Sequence, residues 1–344
     1  MLLSDGRACQ NLAMRTKPPS ATTGKLPAAS TTHSNGKLHP RNRHQGRYDF
    51  ARLLLADPGL GAFLSINPHG EAGIDFADAA AVKSLNRALL QDCYDIQAWD
   101  IPEHNLCPPV PGRADYVHYL ADLLAGSNRG KIPKKTGVQV LDIGTGANLI
   151  YPLIACSEYG WQFVAADINP ASLANAQAIL DANPKLAQRI ALRLQPSANA
   201  VFKGIVGDDE WFDLSMCNPP FHTSLAEARE GTRRKWENLG KATSEAQSSL
   251  NFGGQDAELW CPGGELAFIQ RMIKESAQIA TRCFWFTTLV SKSASLPGIY
   301  AALQQAKVHE QKTITMTQGQ KQSRLVAWTF LNPAQQAAWA KLRW

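Results

Sequence analysis

Four consecutive residues, Asn218-Pro219-Pro220-Phe221, close an apolar run, "FDLSMC", that reads as a buried strand. Proline has no backbone N–H, so Pro219 and Pro220 stop that strand abruptly. The stop leaves a carboxamide and an aromatic ring at a strand's carboxyl end, where open α/β sheets bind their ligands. Two other strand ends carry chemistry. "VQVLDIG" runs into Asp142-Ile143-Gly144-Thr145-Gly146, and glycines after a strand let the backbone approach a ligand closely. A dinucleotide fingerprint needs a third glycine before the helix, and that position is Leu149, which argues against a pyrophosphate-bearing ligand. "WQFVAAD" ends in Asp167, 25 residues after Asp142. A carboxylate there can accept hydrogen bonds from both hydroxyls of a ribose. The competing role is a helix cap, but Asn169 followed by Pro170 already reads as the N-cap and first helical residue.

The D-x-G-x-G turn resembles motif I of class I S-adenosylmethionine-dependent methyltransferases, whose cofactor has no phosphate. With Asp167 in place, "NPPF" resembles the [D/N/S]-P-P-[Y/F/W] motif of amino methyltransferases, which act on adenine N6, cytosine N4 or a glutamine amide. Such an amino group is a poor nucleophile because its lone pair is delocalised. Two acceptors aimed at its hydrogens, the Asn218 side-chain oxygen and the Pro219 carbonyl, can draw it toward tetrahedral geometry. They would act by positioning and electrostatics. A planar target can stack on Phe221, a contact worth roughly 1–3 kcal/mol for a base. No general base is needed before transfer, and the adjacent His222 reads more simply as a surface or substrate-contact residue.

These residues need a sheet to hold them. From Val138 onward strand-like and helix-like runs alternate, the pattern of a parallel sheet with flanking helices. "VQVLDIG", "WQFVAAD", "RIALRLQ", "WFDLSMC" and "TRCFWFTTLV" are the strands, and "KTITMTQ" with "SRLVAWTFL" reads as a closing antiparallel pair. Ahead of them lie a short helix before Pro58, a helix within 75–94, the Pro-rich loop 100–113 and a helix through "ADYVHYLADLLAG". The expected organisation is a disordered tail at 1–46, a helical region at 47–130 and a catalytic domain at 131–344, with a mobile substrate loop at about 222–258.

Bulk properties narrow the class. The formal net charge is +6, yet residues 1–47 carry eight Lys and Arg against Asp5 alone, so the rest of the chain is close to neutral. A basic tail suits a polyanion through phosphate neutralisation, or serves as a solvated extension. The seven cysteines form no C-x-x-C pair, and no ligand cluster implies a metal. No apolar run approaches the roughly 20 residues of a membrane span. The expectation is a cytoplasmic monomer without an obligate protein partner.

Longer stretches sharpen the resemblance. "HNLCPPVPGRADYVHYLADLL" (104–124), "LDIGTGANLIYPL" (141–153), "CNPPF" (217–221) and "FGGQDAELWCPGGELAFIQRMIKES" (252–276) together resemble the ribosomal RNA large subunit methyltransferase F family, related to the methyltransferase-like 16 group. The resemblance covers about residues 40–335. It implies a class I S-adenosylmethionine-dependent methyltransferase fold, Rossmann-like with a mainly parallel seven-stranded sheet and an N-terminal helical extension. It implies N6-methylation of one adenine in 23S rRNA, free or within a large-subunit ribosomal particle. By residue, it implies that Arg113, Asp142, Gly144, Gly146, Asn148, Asp167 and Asn218 bind S-adenosyl-L-methionine. Asn218, Pro219, Pro220 and Phe221 would hold the target amine. In the loop after the motif, Arg229, Arg233, Arg234 and Lys235 could grip RNA phosphate, with Trp236 stacking on a base; the bland alternative is a solvated loop. Three rival classes stay open: a protein glutamine N5-methyltransferase, which usually carries NPPY; a DNA amino-methyltransferase, for which no target-recognition domain follows the core; and an RNA-binding protein on an inactive methyltransferase fold.

Overall fold

The computed structural model describes residues 31–32, 38–67, 70–103, 105–133, 137–224, 227, 259–318 and 321–344. Its elements in chain order are β1 (Thr31–Thr32), α1 (Phe50–Ala56), β2 (Leu64–Ile66), β3 (Ala72–Ile74), α2 (Ala79–Tyr94), α3 (Val110–Ser127), β4 (Gln139–Ile143) and α4 (Ile150–Tyr159). There follow β5 (Gln162–Asp167), α5 (Pro170–Asp181), α6 (Pro184–Ala187), β6 (Ile190–Leu194), β7 (Phe212–Cys217), α7 (Gly264–Ser276), β8 (Cys283–Val290), α8 (Leu296–Gln305), β9 (Glu310–Gln318), β10 (Lys321–Thr329) and α9 (Pro333–Arg343).

The main sheet has the order β1-β9-β10-β8-β7-β4-β5-β6. Seven strands are of ordinary length, and β1 adds two residues parallel to the outer edge of β9. Strands β6, β5, β4, β7 and β8 run parallel, and β10 is antiparallel to both β8 and β9. The Rossmann-like reading is therefore the architecture observed. The strand order reverses between β4 and β7, so the crevice between their carboxyl ends is the topological switch point.

Both faces of this sheet are covered, which is why its strands read as continuous apolar runs rather than alternations. Val140, Phe163, Ala165, Leu214 and Met216 face one core, shared with α2, α3 and α4. Leu141, Ile143, Val164, Ala166 and Phe212 face the other, built with α7 and α8. Residues of the helical N-terminal part, such as Leu53, Leu85 and Leu120, belong to the first core, so that part and the sheet share one apolar interior. Asn169 caps α5 by accepting from Ala171 N, with Pro170 at its first position.

Three features depart from the expectations. Residues 38–46, placed in a disordered tail, are packed: His39, Asn42 and His44 are buried. The order comes from hydrogen bonds rather than apolar burial. His39 N donates to Asp115 Oδ1 at 2.9 Å, Asn42 Nδ2 to Pro111 O at 2.8 Å, and Arg41 to His118 O and Tyr159 Oη. Composition alone registers only the missing apolar residues. Second, α3 begins at Val110, earlier than its apolar pattern suggests, and so takes in Arg113. Third, α9 was not anticipated. Its Asn332–Gln335 capping box starts it, and its far end docks under the sheet on Asp213. That fully buried carboxylate accepts from Gln139 N, Trp339 Nε1, Arg343 Nε and Nη2, and Trp344 Nε1, all at 2.7–2.9 Å.

Candidate active site

A cavity of about 500 Å³ opens at the carboxyl ends of β4, β5, β6 and β7. Its floor is the turn after β4. Gly144 and Gly146 have φ of 73° and 65°, the left-handed region that glycine enters freely. Gly144 N and Thr145 N donate to Ala166 O at 2.9 and 3.0 Å, which ties the turn to β5. A Cβ built on Gly144 would meet no atom within 4 Å. The place of the missing third glycine is informative: Leu149 also lies in the left-handed region, at φ 51°. A leucine there costs roughly 1–2 kcal/mol, and its complete burial holds it in place.

Asp167 forms one wall. Oδ2 accepts from Gly146 N at 2.8 Å and Oδ1 from Asn169 N at 2.9 Å, which fixes the carboxylate and leaves lone pairs for a ligand. Burial raises its pKa despite these backbone bonds. Arg113, in the first turn of α3, closes one end. Its Nη1 donates to Tyr151 Oη at 2.7 Å and its guanidinium lies 5.5 Å from that ring's centroid, while its buried Nε has no partner. Asn218 enters from the end of β7 with Oδ1 buried and unpartnered.

Asp142 lies beneath the cavity rather than along it. It is fully buried, and neither carboxyl oxygen has a hydrogen-bond partner. Burial pushes its pKa up to about 7, with Asp167 adding repulsion and Arg113 opposing. Unpartnered buried polar atoms are rare in folded proteins and need an explanation. Here they gather in one place: Arg113 Nε, both Asp142 oxygens, Thr145 Oγ1, Asn218 Oδ1 and Trp260 Nε1 all lie in or under this cavity.

The structure thus brings Arg113, Gly144, Gly146, Asn148, Asp167, Asn218 and Pro220 to one cavity. Asn148 lines it, but its side chain is engaged in the fold: Oδ1 accepts from Ile150 N and Nδ2 donates to Leu106 O. Pro219 is buried behind the wall and Phe221 is half-buried beside it, and neither lines the cavity. Arg229, Arg233, Arg234, Lys235 and Trp236 lie outside the described residues, as does most of the 222–258 loop. His222 forms a backbone bridge with Trp260.

Residues missed in the sequence complete the walls. Gln195, directly after β6, lines the cavity together with Asn199 and Val201. Its position at a strand's carboxyl end was the available signal, the same that marks Asp167 and Asn218. Trp260, Cys261 and Pro262, with Phe268 and Arg271 of α7, form the side facing the glycine turn. Their stretch has no periodicity that would have pointed to a wall. Glu275 of α7 accepts from Val201 N, Phe202 N and Lys203 N, so this helix also fixes the loop after β6. Among the described residues no cluster of three or more His, Cys, Asp or Glu could hold a metal ion, and no helix is long and apolar enough to cross a membrane.

Comparison with known proteins agrees with this geometry. Residues 32–332 match a family model described as RNA methyltransferase. A protein of Pseudomonas aeruginosa named Ribosomal RNA large subunit methyltransferase F is 57% identical over 312 residues, covering 90% of this chain and 93% of its own. The crystal structure of the hMettl16 catalytic domain in complex with MAT2A 3'UTR hairpin 1 superposes with a TM-score of 0.73 at 29% identity, covering 86% of this chain and 96% of that one. The human METTL16 N-terminal domain in complex with SAH superposes with a TM-score of 0.67 at 26% identity, covering 86% and 99%. S-adenosylmethionine is the cofactor of such an enzyme, and the cavity fits it: a Cβ-free floor, an anchored carboxylate for hydroxyl donors, and an arginine with a free buried donor for a carboxylate. The turn, the anchored acid and the unpartnered amide converge with these matches: the chain belongs to the ribosomal RNA large subunit methyltransferase F family of RNA methyltransferases.

Proposed function

We propose that the protein methylates the N6 amino group of one adenine in 23S rRNA, by direct transfer onto an amine held by Asn218-Pro219-Pro220-Phe221. The observation that carries this reading is the Asn218 carboxamide. It stands at a strand end with a buried acceptor and no partner, on the same cavity as Asp167 and the glycine turn. A buried unmade hydrogen bond costs roughly 1–3 kcal/mol, and a bound amino group repays that cost.

When bound, S-adenosylmethionine supplies an electrophilic methyl on a sulfonium. Asp167 accepts from the ribose hydroxyls, Arg113 meets the carboxylate end, and Gly144 and Gly146 leave room for the ligand's backbone approach. Asn218 Oδ1 and the Pro219 carbonyl each accept one hydrogen of the target amine. The two prolines fix the carbonyl without a competing N–H, and Phe221 offers its ring to the purine. The surplus proton is lost to water after transfer, since the methylated cationic nitrogen is strongly acidic. An adenine paired in a duplex hides this amine, so the substrate base is single-stranded or flipped. The basic loop residues Arg229, Arg233, Arg234 and Lys235, with Trp236, serve the RNA backbone and a neighbouring base. The enzyme works as a cytoplasmic monomer on free 23S rRNA or a large-subunit particle.

The test is incubation with methyl-labelled S-adenosylmethionine and unmethylated large-subunit rRNA, naked and in particles, followed by nucleoside analysis. Label in N6-methyladenosine is the expected result. Label in another nucleoside, in protein glutamine or in DNA would overturn it.

A further inference from the structure

Just past the catalytic motif, one carboxylate sits inside a ring of donors. Glu227 Oε2 accepts from Thr223 N at 2.7 Å and from Thr223 Oγ1 at 2.6 Å. Its Oε1 accepts from Lys292 Nζ at 2.8 Å and lies 3.7 Å from His222 Nδ1. That imidazole nitrogen is buried and has no hydrogen-bond partner. A backbone N–H, a hydroxyl, an ammonium and an imidazole thus converge on one anion, and these are the groups that proteins offer to nucleic-acid phosphates.

The donors are held in place by other residues. His222 N donates to Leu259 O and Cys261 N to His222 O, both at 3.1 Å, so the segment after Phe221 is tied to the Trp260 strand. Thr223 also packs against Gly264, where an added Cβ would come within 2.8 Å of its Cγ2. On the other side, the buried Glu265 accepts from Ser291 N and Oγ, Lys292 N and Ser295 Oγ, which fixes the backbone that carries Lys292. Glu227 and Lys292 have side chains 38% and 44% exposed. An ion pair so exposed adds little to stability, so the carboxylate can leave its ring of donors at small cost.

The place also fits. Lys292 follows the end of β8, and β8 lies beside β7, whose end carries Asn218. Thr223 is two residues past Phe221. The ring of donors therefore sits on the same rim as the target-amine clamp, where the backbone of a flipped nucleotide must pass.

We propose that Thr223, Lys292 and His222 form a binding site for an RNA phosphodiester next to the target nucleotide, and that Glu227 fills this site as an internal substitute until RNA displaces it. This rests on the reading that RNA is the substrate. Glu227 is then a built-in competitor, and removing its charge strengthens RNA binding. A purely structural latch gives the opposite sign, because loosening it disorders the rim.

The experiment measures binding of a labelled, unmodified large-subunit rRNA fragment by fluorescence anisotropy across a salt series. The proteins are the wild type, Glu227→Gln, Lys292→Met and the double variant. Glu227→Gln should lower Kd several-fold and steepen the salt dependence by about 0.7 in log–log slope, one additional phosphate contact on a single strand. Lys292→Met should raise Kd several-fold and flatten the slope by a similar amount. In the Lys292→Met background, Glu227→Gln should add much less than it does alone. Cofactor affinity should be the same in all four, which controls for folding. Unchanged or weaker RNA binding by Glu227→Gln, with wild type binding and methylating the RNA, would overturn the site alone. A wild type that neither binds nor methylates rRNA would overturn the functional reading, and the site with it.

Discussion

Two aspartates lie on neighbouring strands, each completely buried, and their surroundings are opposite. Asp213 begins β7 at the amino end of the sheet and receives five hydrogen bonds, including a paired guanidinium from Arg343. Asp142 sits near the carboxyl end of β4 and receives none. Burial is the same and satisfaction is not. A buried carboxylate with every lone pair engaged fastens structure. One left without partners costs stability, and its place beneath a cavity ringed by other unpartnered groups marks function. The two ends of one sheet therefore divide the labour: the amino end closes the fold with the C-terminal helix, and the carboxyl end keeps its polar groups free for ligands.

This contrast can be broken at each end. Asp213→Ala should have the largest effect on stability, about 3–5 kcal/mol, because it leaves a guanidinium and two indole N–H groups buried without an acceptor. Urea denaturation measures the loss, and cofactor affinity of the folded fraction should stay unchanged. At the other end Asn218→Ala should lower kcat on the order of 10²–10³-fold, about 3–4 kcal/mol of transition-state stabilisation, while leaving the denaturation midpoint and cofactor binding almost where they were. Retention of most activity by this variant would remove the amine clamp from the mechanism.

The electrostatic half of the contrast is tested by Asp142→Asn. The folded pKa of Asp142 is about 7, above the ~3.9 of an unfolded aspartate. The folded state thus holds this proton more tightly. That contribution to stability is complete below about pH 4 and is lost as pH rises through about 7. Asparagine does not titrate, so the melting temperature of the variant relative to wild type should increase from pH 5 to pH 8, by an amount corresponding to a few kcal/mol at most. A constant difference across that range would mean that Asp142 ionises freely in the folded protein. The smallest expected effect is that of Asp167→Ala. Losing hydrogen bonds to a charged acceptor, about 1.5–3 kcal/mol, should weaken S-adenosylmethionine binding roughly ten- to a hundredfold in calorimetry, with little change in stability.

The legible parts of the site share one property. Gly144, Gly146, Asp167 and Asn218 each lie within a few residues of a strand's end, so a local pattern of strand, stop and polar residue exposes them. Gln195 obeys the same rule but follows a strand whose outer face is partly exposed, and its run carries a weaker apolar signal. Trp260, Cys261 and Arg271 come from a segment whose position depends on how α7 crosses the sheet. Asn148 shows the converse: the right place in the motif, with its side chain already engaged by Ile150 and Leu106. The polar run His39–His44 was illegible because its order rests on hydrogen bonds to α3 and α4, which no local composition reports.

By itself the sequence determined the strand–helix alternation, the two-sided burial of the sheet, the glycine turn and the proline-locked strand end. These follow from local sterics and from apolar periodicity, both properties of neighbouring residues. Only the tertiary structure decided which polar groups would be satisfied. Whether a buried carboxylate meets an arginine from 130 residues away, as Asp213 does, or meets nothing, as Asp142 does, depends on long-range packing. Hydrogen bonds are short-ranged and directional, so that outcome is settled only when the chain has folded.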